Sequence, residues 1–295
     1  MYKFAAQSFW VALAISAVMA WPTLTLLRRI GISSIISPYA PEGHMAKTGT
    51  PNMGGVFIIA ALVVALALSG VAGICVIIGF AVIGFVDDFV VPRTTSMRGL
   101  GWMPKLAMEF GILAVYILMV GGSSSAIWTA FFVVSFANAV NFSDGLDALA
   151  GTLMLIALVP FGTYYLMVGN VHNAAMAFAG MGAVIPFLFL NAPPAKVFMG
   201  DVGSLALGAM FGLLFSAAPW QSSIWPWAAS FVFIIELALV PIQILAVKTI
   251  KRRVFPATPI HHGFEKVGWP ESRVVWSFAL AQVVLSAAAL TVIYS

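Results

Sequence analysis

Ile83-Gly84-Phe85-Val86-Asp87-Asp88-Phe89 ends an apolar run of about seventeen residues, close to the length of a bilayer-crossing helix. The two adjacent carboxylates pose an electrostatic problem. A single acid at bilayer depth costs about 2.5–3.5 kcal/mol on insertion scales, and a pair adds mutual repulsion. Something positive must stand beside them: a metal ion, a lysine, or a metal carried by a polyphosphate. Spacing i, i+1 turns the two side chains about 100° apart on a helix, so each can face a different partner. A solvated helix end would also carry such acids, although the C-terminal dipole disfavours them there.

Apolar runs recur along the chain. Of 295 residues, 62% are hydrophobic and only 8% charged, with mean hydropathy +1.04; a soluble domain carries roughly 25% charged residues. The reading is an all-α polytopic membrane protein with about ten transmembrane helices, forming a single domain over 1–295. The segments fall near 7–27, 53–70, 72–90, 105–121, 125–142, 148–168, 173–190, 203–219, 226–247 and 274–293. A membrane β-barrel would show short alternating strands instead. The first run ends in Arg28-Arg29 without a small-residue cleavage site, so it reads as a retained helix. The single cysteine, Cys75, excludes an intramolecular disulfide and a cysteine-rich metal site.

Ten spans sort the connections into two sets. One holds 28–52, 91–104, 143–147, 191–202 and 248–273; the other holds both termini and the short turns near 70, Gly122-Ser123, 170 and 222. Of the 14 Lys and Arg, all but Lys3 lie in or beside the first set. The positive-inside rule makes that set cytoplasmic and turns both termini outward. Arg93 and Arg98 are explained by this rule alone. Glu42, Asp87, Asp88, Asp144, Asp147, Asp201, Glu265 and Glu271 fall on the same face, while Glu109 and Glu236 lie inside spans. The other face offers Trp220, Trp225 and Trp227 as an interfacial belt, and His172. Ionisable groups gathered at one depth suit an enzyme joining a soluble substrate to a lipid-borne one. A conducting pathway would spread them through the membrane.

The polar stretches on that face each suggest chemistry. In Lys47-Thr48-Gly49-Thr50-Pro51-Asn52-Met53-Gly54-Gly55, backbone N–H groups near a helix start, together with Lys47, would bind an anion; an ordinary Gly/Pro turn would look the same. Lys105 follows Pro104 at a helix start, where a cation is unfavourable, so a substrate phosphate is its expected partner. Asn138 and Asn141 are spaced i, i+3, as are Asp144 and Asp147, with Gly145 between the acids. Asn amides read donor and acceptor edges, and Asp147 can take a ribose hydroxyl or a base N–H. Asp201 precedes an apolar Gly-rich helix; it is either an N-cap or, with Asp87 and Asp88, part of an oxygen-rich Mg²⁺ site. His261-His262 can bind phosphate, move a proton or ligate metal.

Together these stretches resemble the polyprenyl-phosphate N-acetylhexosamine-1-phosphate transferase family. The matching pieces are Lys47 to Gly55, Gly84-Phe85-Val86-Asp87-Asp88, Asn138 to Asp147, Pro194 to Ser204 and Pro259-Ile260-His261-His262-Gly263-Phe264-Glu265, in the family's order. The Pro259 to His262 piece resembles the family's muramoyl-peptide branch. The resemblance implies transfer of phospho-N-acetylmuramoyl-pentapeptide from its UDP carrier to undecaprenyl phosphate, with Mg²⁺. The products would be lipid I and UMP, the first membrane step of peptidoglycan synthesis. It implies Asp87, Asp88, Asp201 and His261 as catalytic, with metal on Asp201 and Asp87. Lys47, Asn52, Lys105, Asn138, Asn141, Asp144, Gly145, Asp147, Phe198 and His262 would bind substrate. The implied location is the bacterial inner membrane, multi-pass, with the site facing the cytoplasm. Membrane lipids are expected partners, nucleic acid is not, and a homodimer is left open. The chain departs from the family at Gly263, where a third His is usual, and at Asn52, Ser143 and Ala148.

Two other readings stand beside this one. A transferase using UDP-GlcNAc or a related UDP-N-acetylhexosamine would share the same machinery. A secondary transporter of an anionic metabolite would need inverted repeats and charge at mid-depth; Glu109 and Glu236 are its only candidates, and no repeat is visible.

Overall fold

The structure is a computed structural model that describes residues 2–33, 47–71, 73–95, 97, 99–119, 121 and 125–295. Glu42, Arg98 and the Gly122-Ser123 turn lie outside the described residues. The described chain is helical: α1 (Tyr2–Ile30), α2 (Gly55–Leu68), α3 (Ile74–Phe85), α4 (Trp102–Met119), α5 (Ala126–Ser143), α6 (Leu149–Met167), α7 (Val171–Asn191), α8 (Gly200–Ala217), α9 (Trp225–Ile250), α10 (Ile260–Lys266) and α11 (Glu271–Tyr294). After α3 the chain continues through a π-helical turn, Val86–Val90, into a short α-helical turn, Val91–Thr94.

Counting α3 together with its continuation to Thr94, nine of the described helices are long and apolar enough to cross a membrane, and the protein is a multi-pass membrane protein. The tenth expected span, α2, has only 14 residues, or about 21 Å against a hydrocarbon core of about 30 Å. Its missing first turn has been diverted. Pro51 O accepts from Phe198 N at 2.9 Å, while Gly54 N and Gly55 N donate to Phe198 O and Met199 O, each at 2.8 Å. Residues that would have lengthened α2 instead tie the 47–55 segment to the start of α8. The 248–273 connection, expected as a loop, contains the seven-residue helix α10.

Helix α8 is the axis of the bundle, with all residues from Val202 to Phe215 buried. In lipid, helices associate through close packing of small residues rather than by hydrophobic exclusion. Gly208 and Gly212 serve that purpose: a Cβ on either would run into the backbone of α5 at Phe136–Ala137 and at Val133. On the periphery, α1 packs along α7, with Ser16 Oγ donating to Ala183 O at 2.7 Å. Pro160, Pro186 and Pro241 sit inside helices, a substitution pattern that bundles of membrane helices tolerate.

Of the three tryptophans expected at the interface, Trp225 is instead buried, while Trp220 and Trp227 keep partial exposure. Trp225 is 2% exposed and packs on Phe161 and Tyr164. Trp220 and Trp227 join Phe132 and Phe215, and Trp227 Nε1 donates to Trp220 O at 2.8 Å. Their large apolar area is spent on packing between helices, with the one N–H satisfied internally.

Candidate active site

The π-helical turn carries Asp87 and Asp88, so these acids lie within a continuing helix rather than at its C-terminal end. Such turns frequently occur at functional sites. The two carboxylates face different partners, as their spacing requires. Asp87 accepts from Leu100 N and from Lys105 Nζ, the latter at 3.1 Å. Asp88 accepts from Asn52 Nδ2 at 3.0 Å and from Val202 N at 3.2 Å. Gly84, one turn earlier, allows this approach: a Cβ there would overlap the Asp201–Val202 peptide.

Asp201 stands in the first turn of α8, while Met199 is the N-cap and makes no side-chain cap. The N-cap reading is therefore replaced. Asp201 Oδ2 lies 2.5 Å from Lys105 Nζ, and its Oδ1 accepts from Asn141 Nδ2 at 2.8 Å. Asn141 also donates to Ser204 Oγ at 2.9 Å. The positive end of α8 favours this carboxylate, and the Lys105 ammonium supplies the cation that the acidic pair required. Among the described residues, no three His, Cys, Asp or Glu side chains converge as a ready-made metal cage.

Lys47 makes a second ionic centre. Its ammonium lies 2.7 Å from Asp147 Oδ1 and 2.6 Å from Glu271 Oε1. Glu271 Oε1 also accepts from Asp147 N at 2.7 Å, and Asp147 Oδ2 accepts from Ala195 N at 3.0 Å. Between the two centres opens a cavity of about 240 Å³, lined by Lys47, Asn52, Asp88, Asp144, Gly145, Asp147, Phe198 and Asp201, with Leu146, Asn191 and Gly200 completing its wall. Asp144 lies in the turn between α5 and α6. Burial pushes its carboxyl well above the ordinary range, and the nearby Asp201 and Asp88 carboxylates push it further the same way.

The histidines sit behind this cavity. His261 is fully buried on α10, its Nδ1 3.2 Å from Glu236 Oε2, and its Nε2 lies against Gly145. The His262 ring is 4.2 Å from that of His261, and its Nδ1 is 2.8 Å from Glu265 Oε2. Asn138 is turned elsewhere: it donates to Glu109 Oε2 at 2.8 Å and to Val134 O at 2.9 Å. Thus Lys47, Asn52, Asp88, Asp144, Gly145, Asp147, Phe198 and Asp201 share one cavity. Asp87, Lys105 and Asn141 adjoin it through Asp201, whereas His261, His262 and Asn138 do not line it.

Four residues escaped the sequence reading as site members. Glu271 was placed only among the acids of the charged face. Asn191 accepts from Ala148 N at 2.8 Å and donates to Val197 O at 2.9 Å, pinning two of the loops that carry the site. Glu109 and Glu236 were visible as acids inside spans, a signal that something polar must meet them, but their partners are remote in sequence.

Known proteins resemble this chain over most of its length. A family model described as glycosyl transferase family 4 matches residues 70–218. The chain is 34% identical to the phospho-N-acetylmuramoyl-pentapeptide-transferase of Desulforamulus reducens, covering 94% of this chain and 93% of that protein. It is also 34% identical to the protein of that name from Bartonella quintana, over 90% of this chain and 86% of that protein. With its acidic residues, Lys105 and the Lys47 centre gathered at one end of a helical membrane bundle, this chain belongs to glycosyl transferase family 4, with the phospho-N-acetylmuramoyl-pentapeptide-transferases among its relatives.

Proposed function

We propose that the chain transfers phospho-N-acetylmuramoyl-pentapeptide from a UDP carrier to undecaprenyl phosphate, giving lipid I and UMP. The observation that carries this reading is the bridging of Asp87 and Asp201 by Lys105, with Asp88 tied to the same first turn of α8 through Val202 N, beside a polar cavity. The reaction brings an anionic acceptor to an anionic donor, so charge must be neutralised where they meet. Lys105 and Lys47 supply positive charge on two sides of the cavity. Asp88, held by Asn52 and Val202 N, faces the cavity and is the carboxylate set to take a proton from the acceptor phosphate or to attack the donor diphosphate. Phe198 offers an apolar face to the uracil, and Asp144 and Asp147 offer acceptors to hydroxyls and N–H groups.

The donor set also fits Mg²⁺. That ion commonly binds through one or two carboxylates plus substrate phosphate oxygens, and Asp201 and Asp87 are hard oxygen donors already drawn together around a cation. In this reading they would hold the metal together with oxygens of the donor diphosphate, leaving Lys105 to neutralise phosphate charge beside it. The metal would supply charge neutralisation on the leaving nucleotide.

The strong Lys and Arg asymmetry supports a cytoplasmic site, with the protein in a bacterial inner membrane as one functional domain and the lipid acceptor entering from the bilayer. The test is a donor panel with the purified protein: UDP-N-acetylmuramoyl-pentapeptide against UDP-GlcNAc, each with undecaprenyl phosphate, scored as UMP released. Release confined to the peptide donor supports the proposal. Preference for UDP-GlcNAc would move the protein to another glycan, and uptake into vesicles without UMP release would make it a transporter.

A further inference from the structure

Glu236 is 0% exposed and stands in the middle of α9. A buried carboxylate is costly unless it is paired and hydrogen-bonded. All the partners found for it lie on α10: Glu236 Oε2 accepts from Ile260 N at 3.1 Å and lies 3.2 Å from His261 Nδ1. One oxygen therefore fixes both the start of α10 and the imidazole behind it. Glu236 Oε1 and His261 Nε2 are buried with no hydrogen-bond partner. A buried polar atom left unmatched in this way calls for an explanation. The His261 nitrogen is aimed at Gly145, on the cavity wall, and even a Cβ at Gly145 would collide with it. With Nδ1 committed to Glu236, Nε2 is the ring atom left for a partner arriving on the cavity side.

We infer that Glu236 is a positioning residue: it orients His261 so that Nε2 meets a polar atom in the phosphoryl–sugar portion of the donor when the donor seats on the 144–147 turn. This inference rests on the transferase reading above. It differs from a purely structural role, in which Glu236 would only hold α10 against α9.

A double-mutant cycle on kcat/KM separates the two. Glu236→Met removes the acceptor while keeping volume, and His261→Ala removes the ring. Glu236→Met is expected to lower kcat/KM by about 10–100-fold, by analogy with loss of the carboxylate behind a metal-bound histidine, and His261→Ala by at least as much. The double variant should be no slower than the slower single, because the two act as one unit. Glu236→Gln, which keeps an acceptor oxygen, should retain most of the activity. The losses should fall on kcat or on the donor KM and leave the lipid-acceptor KM unchanged. Multiplying losses, equal changes in both KM values, or a Glu236→Gln variant as poor as Glu236→Met would overturn the inference. Thermal unfolding in detergent identifies any variant that has lost its fold, and a cycle with Glu236→Ala and His261→Asn then replaces it under the same criteria. If the unaltered protein releases no UMP, the transferase reading itself has failed. If it turns over and the losses multiply, only the role given to Glu236 has.

Discussion

Lys105 Nζ lies 2.5 Å from Asp201 Oδ2 and so joins the first turn of α4 to the first turn of α8, residues separated by 96 positions in sequence. The same ammonium reaches Asp87 Oδ2 at 3.1 Å. A single cation thus holds two carboxylates that would otherwise repel. Removing one partner of a buried ion pair typically costs about 3–5 kcal/mol, and these groups, which keep some exposure, belong at or below the low end of that range.

Lys105→Gln should therefore lose activity by about a hundredfold or more, with a smaller fall in thermal stability. Lys105→Arg should retain part of the activity because the charge remains. UMP release and thermal unfolding, measured on the same preparations, check both. Full turnover by Lys105→Gln would show that the ammonium has no part in the reaction.

Asp88→Asn is expected to reduce transfer of radiolabelled phospho-sugar by about 10²–10⁴-fold, the range for loss of a positioned acid–base group, and Asp201→Asn, which removes a proposed metal ligand, by at least as much. Chelation with EDTA should stop the unaltered protein, and added Mg²⁺ should restore it. Near-normal turnover by both variants would refute the acidic site, and indifference to EDTA would refute the metal.

Gly84→Ala inserts a methyl group against the Asp201–Val202 peptide. Overpacking of this kind costs about 1–3 kcal/mol. It would also push α3 from α8 and separate Asp88 from Val202 N. A lower midpoint of thermal unfolding together with reduced UMP release is expected; unchanged values in both would mean that the helices can part without consequence.

Asp144 gives a pH signature. Its carboxyl is raised above the ordinary value of 3.8 by burial first and then by Asp201 and Asp88. In the window above that value the folded protein binds more protons than the unfolded chain, so stability falls as pH rises. The favourable contribution is complete below the unfolded value and is lost as pH passes the raised folded value. Asp144→Asn, which carries no charge to bury, should gain stability relative to the unaltered protein as pH increases. Thermal midpoints taken from about pH 4 to about pH 8 would show a widening gap; a constant gap would refute the assignment.

Much of the architecture was legible because the membrane imposes strong rules. Apolar runs near spanning length marked the long helices, and Lys and Arg marked one end of them. The shortness of α2 was hidden, because the apolar pattern at 53–55 cannot reveal that those residues hydrogen-bond to Phe198 and Met199. The π-helical turn was hidden as well: a local extra residue in a helix leaves no mark on composition. Trp225 misled for the opposite reason, since a Trp near a span end suits both an interface and a packed cluster.

By itself, the sequence determined that this is a many-helix membrane protein most of whose acids, lysines and histidines collect at one end, and that Asp87 and Asp88 must face a cation and point apart. Those facts follow from transfer free energies and helix periodicity, which are local. Only the tertiary structure decided which cation stands there, that Asn138 serves Glu109 rather than the cavity, and that His261 lies behind Gly145 against Glu236. Pairings between residues tens to hundreds of positions apart depend on how helices pack, and packing is a property of the whole bundle.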